Sequence, residues 1–196
     1  MQISRPISRK PLPANARRVF QGVIFDVYQW EVDGYDGKKM IFEKVKRPDT
    51  VVVFPVTEDG KIVLIFEEQP GTRPALGTVG GRVDEGEDIL DAAKRELLEE
   101  TGYEASEWLL FDAVQPASKI EWAVYTFIAR GCKKVAAQNL DGGEKIQLRV
   151  VDFDQFVELG CSEFAESEMR IKLLEARLDP EKMRQIREVM LGESDR

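Results

Sequence analysis

Gly81-Arg82-Val83-Asp84-Glu85-Gly86-Glu87, then Asp88–Lys94, then Arg95-Glu96-Leu97-Leu98-Glu99-Glu100-Thr101-Gly102-Tyr103, is the stretch on which the reading of this chain turns. The spacing predicts a helix over 88–100. Ile89, Ala92, Ala93 and Leu97 share one face, and Gly102 is placed to take the left-handed turn that ends a helix. On such a helix Glu96, Glu99 and Glu100 stand at i, i+3 and i+4, so their carboxylates leave one face together. Three like charges that close repel one another, and an isolated helix gains nothing from them. Hard divalent cations among them would remove the conflict, because Mg²⁺ or Mn²⁺ prefers carboxylate oxygens and keeps waters for a phosphate-bearing substrate. A bare Glu-x-x-Glu-Glu equally fits a solvated helix face, so the surroundings decide. Just upstream, Gly77-Thr78-Val79-Gly80-Gly81 lets backbone approach a ligand or metal closely.

Outward from this segment, Val51–Val56 and Lys61–Phe66 are apolar enough for central strands and are parted by the turn Thr57-Glu58-Asp59-Gly60. Leu109–Val114, Trp122–Ala129 and Lys145–Val151 supply further strands. Between Arg18 and Lys46 apolar residues tend to alternate around the turn Asp33–Gly37, which reads as a β-hairpin or meander. Residues 1–16, with three prolines, read as an extended arm. At the other end, Asp154–Leu159 reads as a short helix ended by Gly160, followed by helices over Ser167–Leu178 and Glu181–Leu191. Strands on both sides of one strong helix, with more helix at the C-terminal end, indicate an α/β mixed-sheet sandwich. The expected division is an arm and meander over 1–48 and a main domain over 49–196.

Composition narrows the chemistry. The 196 residues carry 28 Lys+Arg against 36 Asp+Glu, a formal charge of −8. That balance argues against a nucleic-acid or anionic-membrane surface, both of which need clustered cations. There is no histidine, which excludes Ser-His or Cys-His nucleophiles and imidazole-bound zinc. Cys132 and Cys161 form no Cys-x-x-Cys pair and read as two reduced, buried thiols. No apolar run has the length of a membrane span, and the expectation is a cytoplasmic protein.

Gly81, Glu87, Arg95, Glu96, Leu97, Glu99, Glu100, Gly102 and Tyr103 match in full the Nudix box, Gly-x5-Glu-x7-Arg-Glu-U-x-Glu-Glu-x-Gly-U. Tyr103 is aromatic where an aliphatic residue is more usual. Seven fixed positions at roughly 7% usage each would match by chance in about one window in 10⁸. The chain thus resembles a Nudix hydrolase, and the resemblance implies an α/β/α sandwich that cleaves a nucleoside diphosphate linked to some other moiety with Mg²⁺ or Mn²⁺. It implies Glu96, Glu99 and Glu100 as metal ligands, joined by the Gly80 carbonyl, with Gly81, Glu87, Arg95 and Gly102 shaping the box.

Arg18–Trp30, Gly37-Lys38-Lys39 and Phe42–Pro48 also resemble the start of the ADP-ribose pyrophosphatase branch, whose N-terminal meander commonly exchanges between the subunits of a homodimer. This implies a nucleoside diphosphate sugar as substrate, with ADP-ribose, ADP-glucose and GDP-mannose as alternatives, and neither nucleic acid nor membrane as partner. Two departures stand out: Glu68-Gln69 runs into Pro70-Gly71-Thr72 before Arg73, and Gly77 replaces a glutamate ahead of the box. The loop Asn139–Glu144 resembles the one where the branch keeps a catalytic glutamate. Glu144 is accordingly expected to act as general base or as an additional metal contact, with Glu99 as the other catalytic carboxylate. Trp30 is the candidate for stacking a base, and Arg47 and Arg73 are candidates for the phosphates. The rival readings are a Nudix hydrolase of a nucleoside triphosphate or dinucleoside polyphosphate, and a nucleotide-sugar sensor that binds without catalysis.

Overall fold

The computed structural model describes residues 3–164 and 168–192. Its elements run β1 (Arg17–Gln21), β2 (Asp26–Asp33), β3 (Lys39–Lys46), β4 (Thr50–Thr57), β5 (Ile62–Glu68), β6 (Ala75–Gly77) and β7 (Val79–Arg82), then helix α1 (Ile89–Thr101). After it come β8 (Tyr103–Glu104), β9 (Glu107–Val114), β10 (Ile120–Glu121), β11 (Val124–Lys134) and β12 (Lys145–Val151), followed by α2 (Phe153–Ser162), α3 (Glu168–Ala176) and α4 (Pro180–Leu191). The main sheet has the order β12-β5-β4-β11-β8, with β6 on β5, β7 on β4 and β9 on β11. It is mixed: β4 and β11 run parallel, while β12–β5 and β9–β11 are antiparallel. The smaller sheet, β1-β2-β3-β10, is the antiparallel meander extended by a short parallel strand from the main domain.

Strand alternation builds two apolar layers. Val51 and Val53 face α1 with Ala92, Ala93 and Leu97, whereas Phe54, Val56, Ile62 and Leu64 face the C-terminal helices through Phe156, Leu173 and Met190. Both faces of β4 are therefore buried, as its nearly continuous apolar run anticipates, and the result is the expected α/β/α sandwich. Cys132 and Cys161 are free and buried.

One local reading needs correction. Gly160 does not end α2: the helix runs on to Ser162, and a side-chain carbon at Gly160 would meet Leu173 Cδ1 at 2.4 Å. That glycine serves close packing of α2 on α3. In the meander, the Gly22 amide bonds the Phe25 carbonyl at 3.0 Å and closes a turn between β1 and β2. The start of α3 expected at Ser167 lies outside the described residues.

Candidate active site

Both ends of α1 are fixed by side-chain and backbone chemistry. Asp88 accepts from the amides of Leu90 and Asp91, and Gly102, at φ 74°, donates its N–H to the Leu98 carbonyl. Burial of Ala92, Ala93 and Leu97 against the sheet turns the glutamates into a cleft. There Glu67, Glu96, Glu99, Glu100, Asp141 and Glu144 line a cavity of about 460 Å³, with Gly80 and Gly81 beside them. An added carbon at Gly81 would fall on the carboxylate of Glu96, so a side chain there would have to displace that carboxylate.

Arg95 organises the charges. Its Nε and Nη2 grip the two oxygens of Glu87 at 2.9 and 3.0 Å, and Nη2 also reaches the Arg82 carbonyl at 2.9 Å. Its Nη1 donates to Glu96 at 2.8 Å and to Glu99 at 3.1 Å. One guanidinium thus ties the loop before the helix to two of the three helix carboxylates. It also holds the Glu87 carboxyl below the usual carboxylate range.

Glu100 has a different environment. It is 5% exposed and, among the described residues, accepts only the Gly80 amide, at 3.2 Å. Burial pushes its carboxyl up to about 9, with the charges of Glu96, Glu144 and Glu67 adding to the effect against that hydrogen bond. Burial also raises Glu96, against the pull of Arg95, and raises Glu144, with Asp141, Glu67 and Glu99 contributing. Negative charge is therefore concentrated here beyond what Arg95 offsets. Among the described residues no group of three or more acidic or cysteine side chains is already gathered to clasp an ion, since Glu96 and Glu99 turn to Arg95 and Glu100 to Gly80. The donor set nevertheless fits a hard divalent cation, being carboxylate oxygens that outnumber the two arginines, Arg82 and Arg95, lining the cleft.

The loop carrying Glu144 hangs from the end of α1. The Val135 and Ala136 amides bond the Gly102 carbonyl, the Asn139 amide bonds the Glu99 carbonyl at 2.8 Å, and Gln138 Nε2 reaches the Glu100 carbonyl at 2.6 Å. A turn from Asp141 O to the Glu144 amide then aims Glu144 into the cavity. The structure thus brings together Gly80, Glu96, Glu99, Glu100 and Glu144. It also adds Glu67, which the sequence reading passed over at the end of an apolar strand. Pairing β5 with β12 would have revealed it, since Glu67 lies opposite Ile146, two residues from Glu144.

The expected substrate residues lie apart from the carboxylates. Arg47 stands over the Trp122 ring at 4.7 Å and the Phe25 ring at 5.6 Å, and its Nε is buried without a hydrogen-bond partner. Burial and the neighbouring Arg82 charge lower its pKa. It lines a second cavity, about 510 Å³, that shares Asp84 with the first. Trp30 packs on Phe42 at 5.4 Å in a third, about 490 Å³, that shares Pro11 with the second. Arg73 is exposed in the loop between β5 and β6 and lines none of the three.

A mixed sheet between helices, with a cleft of carboxylates borne on a glycine-led loop and helix, defines a protein built to hold cations beside an anionic substrate. The chain belongs to the Nudix family: residues 46–170 match the NUDIX domain. It is 30% identical over 145 residues to a methanol dehydrogenase activator of Bacillus methanolicus, covering 72% of this chain and 78% of that protein. It is 30% identical over 144 residues to an ADP-ribose pyrophosphatase of Bacillus subtilis (strain 168), covering 72% of each. Similarity to the ADP compounds hydrolase NudE of Escherichia coli (strain K12) is 30% over 102 residues, half of this chain and 54% of that one. Among solved structures, an ADP compounds hydrolase superposes with a TM-score of 0.67 at 21% identity, covering 92% of this chain and 98% of its own, and it shares the fold.

Proposed function

We propose that this chain hydrolyses the diphosphate of a nucleoside diphosphate sugar, an ADP-sugar foremost, to a nucleoside monophosphate and a sugar phosphate. As a Nudix protein with every box glutamate in place it is a hydrolase of pyrophosphate bonds. The B. subtilis and E. coli relatives, named for ADP-ribose and ADP compounds, support the substrate class. The observation that carries the reading is Glu144, delivered by a separate loop into the same cavity as the helix carboxylates.

Glu96, Glu99, Glu100 and the Gly80 carbonyl would hold Mg²⁺ or Mn²⁺. Such an ion, when bound, neutralises the diphosphate and acidifies water. The rest falls to the chain itself. Glu144 takes the proton from the attacking water, a task for which its raised pKa suits it. Arg95 keeps Glu96 and Glu99 in place, so both present fixed oxygens. Arg47, a cation held against two rings and without a carboxylate partner among the described residues, donates to a phosphate oxygen. Trp30 offers a ring to the base. Arg73, outside these cavities, has no part in this assignment.

Val19, Phe20, Met40 and Ile41 are each more than half exposed on the meander, which supports a homodimer through that sheet. No helix among the described residues is long and apolar enough to cross a membrane, in keeping with the cytoplasmic location we propose. The test is to incubate ADP-ribose, ADP-glucose and GDP-mannose with the protein and Mg²⁺ or Mn²⁺ and identify products by mass. Nucleoside monophosphate and sugar phosphate are expected from at least one of them, and none from the Glu99→Gln variant. Absence of a nucleoside monophosphate from every substrate would overturn the proposal.

A further inference from the structure

Residues 3–16 form neither helix nor strand, yet they are tied to the core far more firmly than a terminal segment ordinarily is. Lys44, 2% exposed, donates to Ser8 Oγ at 2.8 Å, to the Lys10 carbonyl at 2.6 Å and to Glu121 Oε2 at 2.5 Å. All three protons of its ammonium are used, and two go to the arm. The other oxygen of Glu121 accepts from Arg5 at 2.7 Å, while Arg5 grips both oxygens of Asp49 at 2.8 and 3.0 Å. Gln115 Nε2 adds a bond to the Pro6 carbonyl at 2.8 Å. The arm thus supplies two of the three partners of the Lys44 ammonium, charge-assisted bonds that favour its docking.

The lock delivers Pro11 and Leu12 to one side of the cavity that holds Arg47, Val83 and Asp84. This cavity adjoins the carboxylate cleft through Asp84. It combines an unpaired guanidinium for phosphate, an exposed carboxylate able to accept from sugar hydroxyls, and apolar flanks for the face of a ring.

We propose that the N-terminal arm, locked by Arg5 and Lys44, is a specificity-determining wall of the substrate cleft, so that the part of a nucleotide sugar beyond its reacting phosphates is read against Pro11 and Leu12 of the same chain. The inference rests on the nucleotide-sugar reading above. Two variants test it on the full chain: Arg5→Ala loosens the lock, and Leu12→Ala trims the wall while sparing the lock. Affinity for ADP-ribose is measured by calorimetry in EDTA, Mn²⁺ affinity separately, and release of the arm by tryptic cleavage after Arg9. Arg5→Ala should expose that cleavage site and weaken ADP-ribose binding about tenfold, the scale expected when several preorganised side chains must be ordered anew. Leu12→Ala should weaken it severalfold without new cleavage. Mn²⁺ affinity should hold in both, and in turnover the loss should fall on KM rather than kcat. ADP-ribose affinity within twofold of wild type in Leu12→Ala overturns the wall, whatever Arg5→Ala does, and settles the matter if Arg5→Ala fails to fold. Wild-type protein that neither binds nor cleaves any of the three nucleotide sugars overturns the functional reading itself, and the wall with it.

Discussion

Replacing Arg95 by Gln should separate the structural work of the box from its chemistry. The side chain is 30% exposed and its partner Glu87 is 18% exposed, with two parallel charge-assisted bonds between them. Bonds of that kind contribute about 1.5–3 kcal/mol each when well shielded. Partial exposure draws the pair toward the ~0–1 kcal/mol of surface ion pairs. A coupling of about 2 kcal/mol between positions 87 and 95 is therefore expected. Arg95→Gln alone should cost more, about 3 kcal/mol, because it also frees the Arg82 carbonyl and leaves Glu96 and Glu99 facing one another. In a chain of this size that is a fall in melting temperature of roughly 6–12 °C. A double-mutant cycle of Glu87→Gln and Arg95→Gln by urea denaturation measures the coupling directly. Because the Glu87 pKa is depressed in the folded protein, its contribution is present above the unfolded carboxylate pKa and is lost as pH falls through the lower, folded value. The coupling should then fade as pH falls from the ordinary carboxylate range through that lower folded value. A coupling under about 0.5 kcal/mol at pH 7 would make Arg95–Glu87 an ordinary solvated pair and refute the organising role given to it.

Glu144→Gln should lower kcat by about 10²–10⁴ with little change in Mn²⁺ affinity, and the acid limb of the pH–rate profile should flatten; an unchanged limb would take the base away from Glu144. Gly81→Ala meets only the mobile end of Glu96, so the melting temperature should move little while Mn²⁺ affinity and activity fall together, as calorimetry and turnover would show. Glu121→Gln removes the shared anion of Lys44 and Arg5 and should cost about 3 kcal/mol at pH 7. Burial works against the Glu121 charge, but the bonds from Lys44 and Arg5 outweigh it and hold its pKa low. The stability gap between wild type and this variant should therefore close as pH drops through that depressed value, as melting curves from pH 7 to pH 3 would reveal.

The helix and its acidic face were legible because i, i+3, i+4 spacing fixes direction without help from the rest of the chain. Central strands β4 and β5 were legible for the same reason, as runs of apolar residues between turn signals. What escaped the sequence depends on partners far along the chain. Lys44 looks like one outward residue of an alternating strand, and its burial follows from Ser8 and Glu121, 36 and 77 positions away. Glu67 sits at the end of an apolar strand and becomes part of the site through the register of β5 with β12. Gly160 carries the usual sign of a helix end, and contact with Leu173 makes it a packing residue instead. The position of Glu144 was available by likeness to other proteins, since nothing local to Asp141–Glu144 shows that the loop is hung from α1.

That suspension has a kinetic meaning. The carbonyls that anchor the Gln138–Asn139 segment belong to Glu99 and Glu100, residues that also carry the cleft's carboxylates. Peeling the loop away bares the final turn of the helix, and unwinding that turn releases the loop, so their openings should be coupled. In native-state hydrogen exchange the Asn139 and Gly102 amides should therefore report one shared opening event, with the same free energy and the same response to denaturant. The distance between Glu144 and the helix carboxylates is then set by a single cooperative unit, and the cleft is assembled or dismantled as a whole.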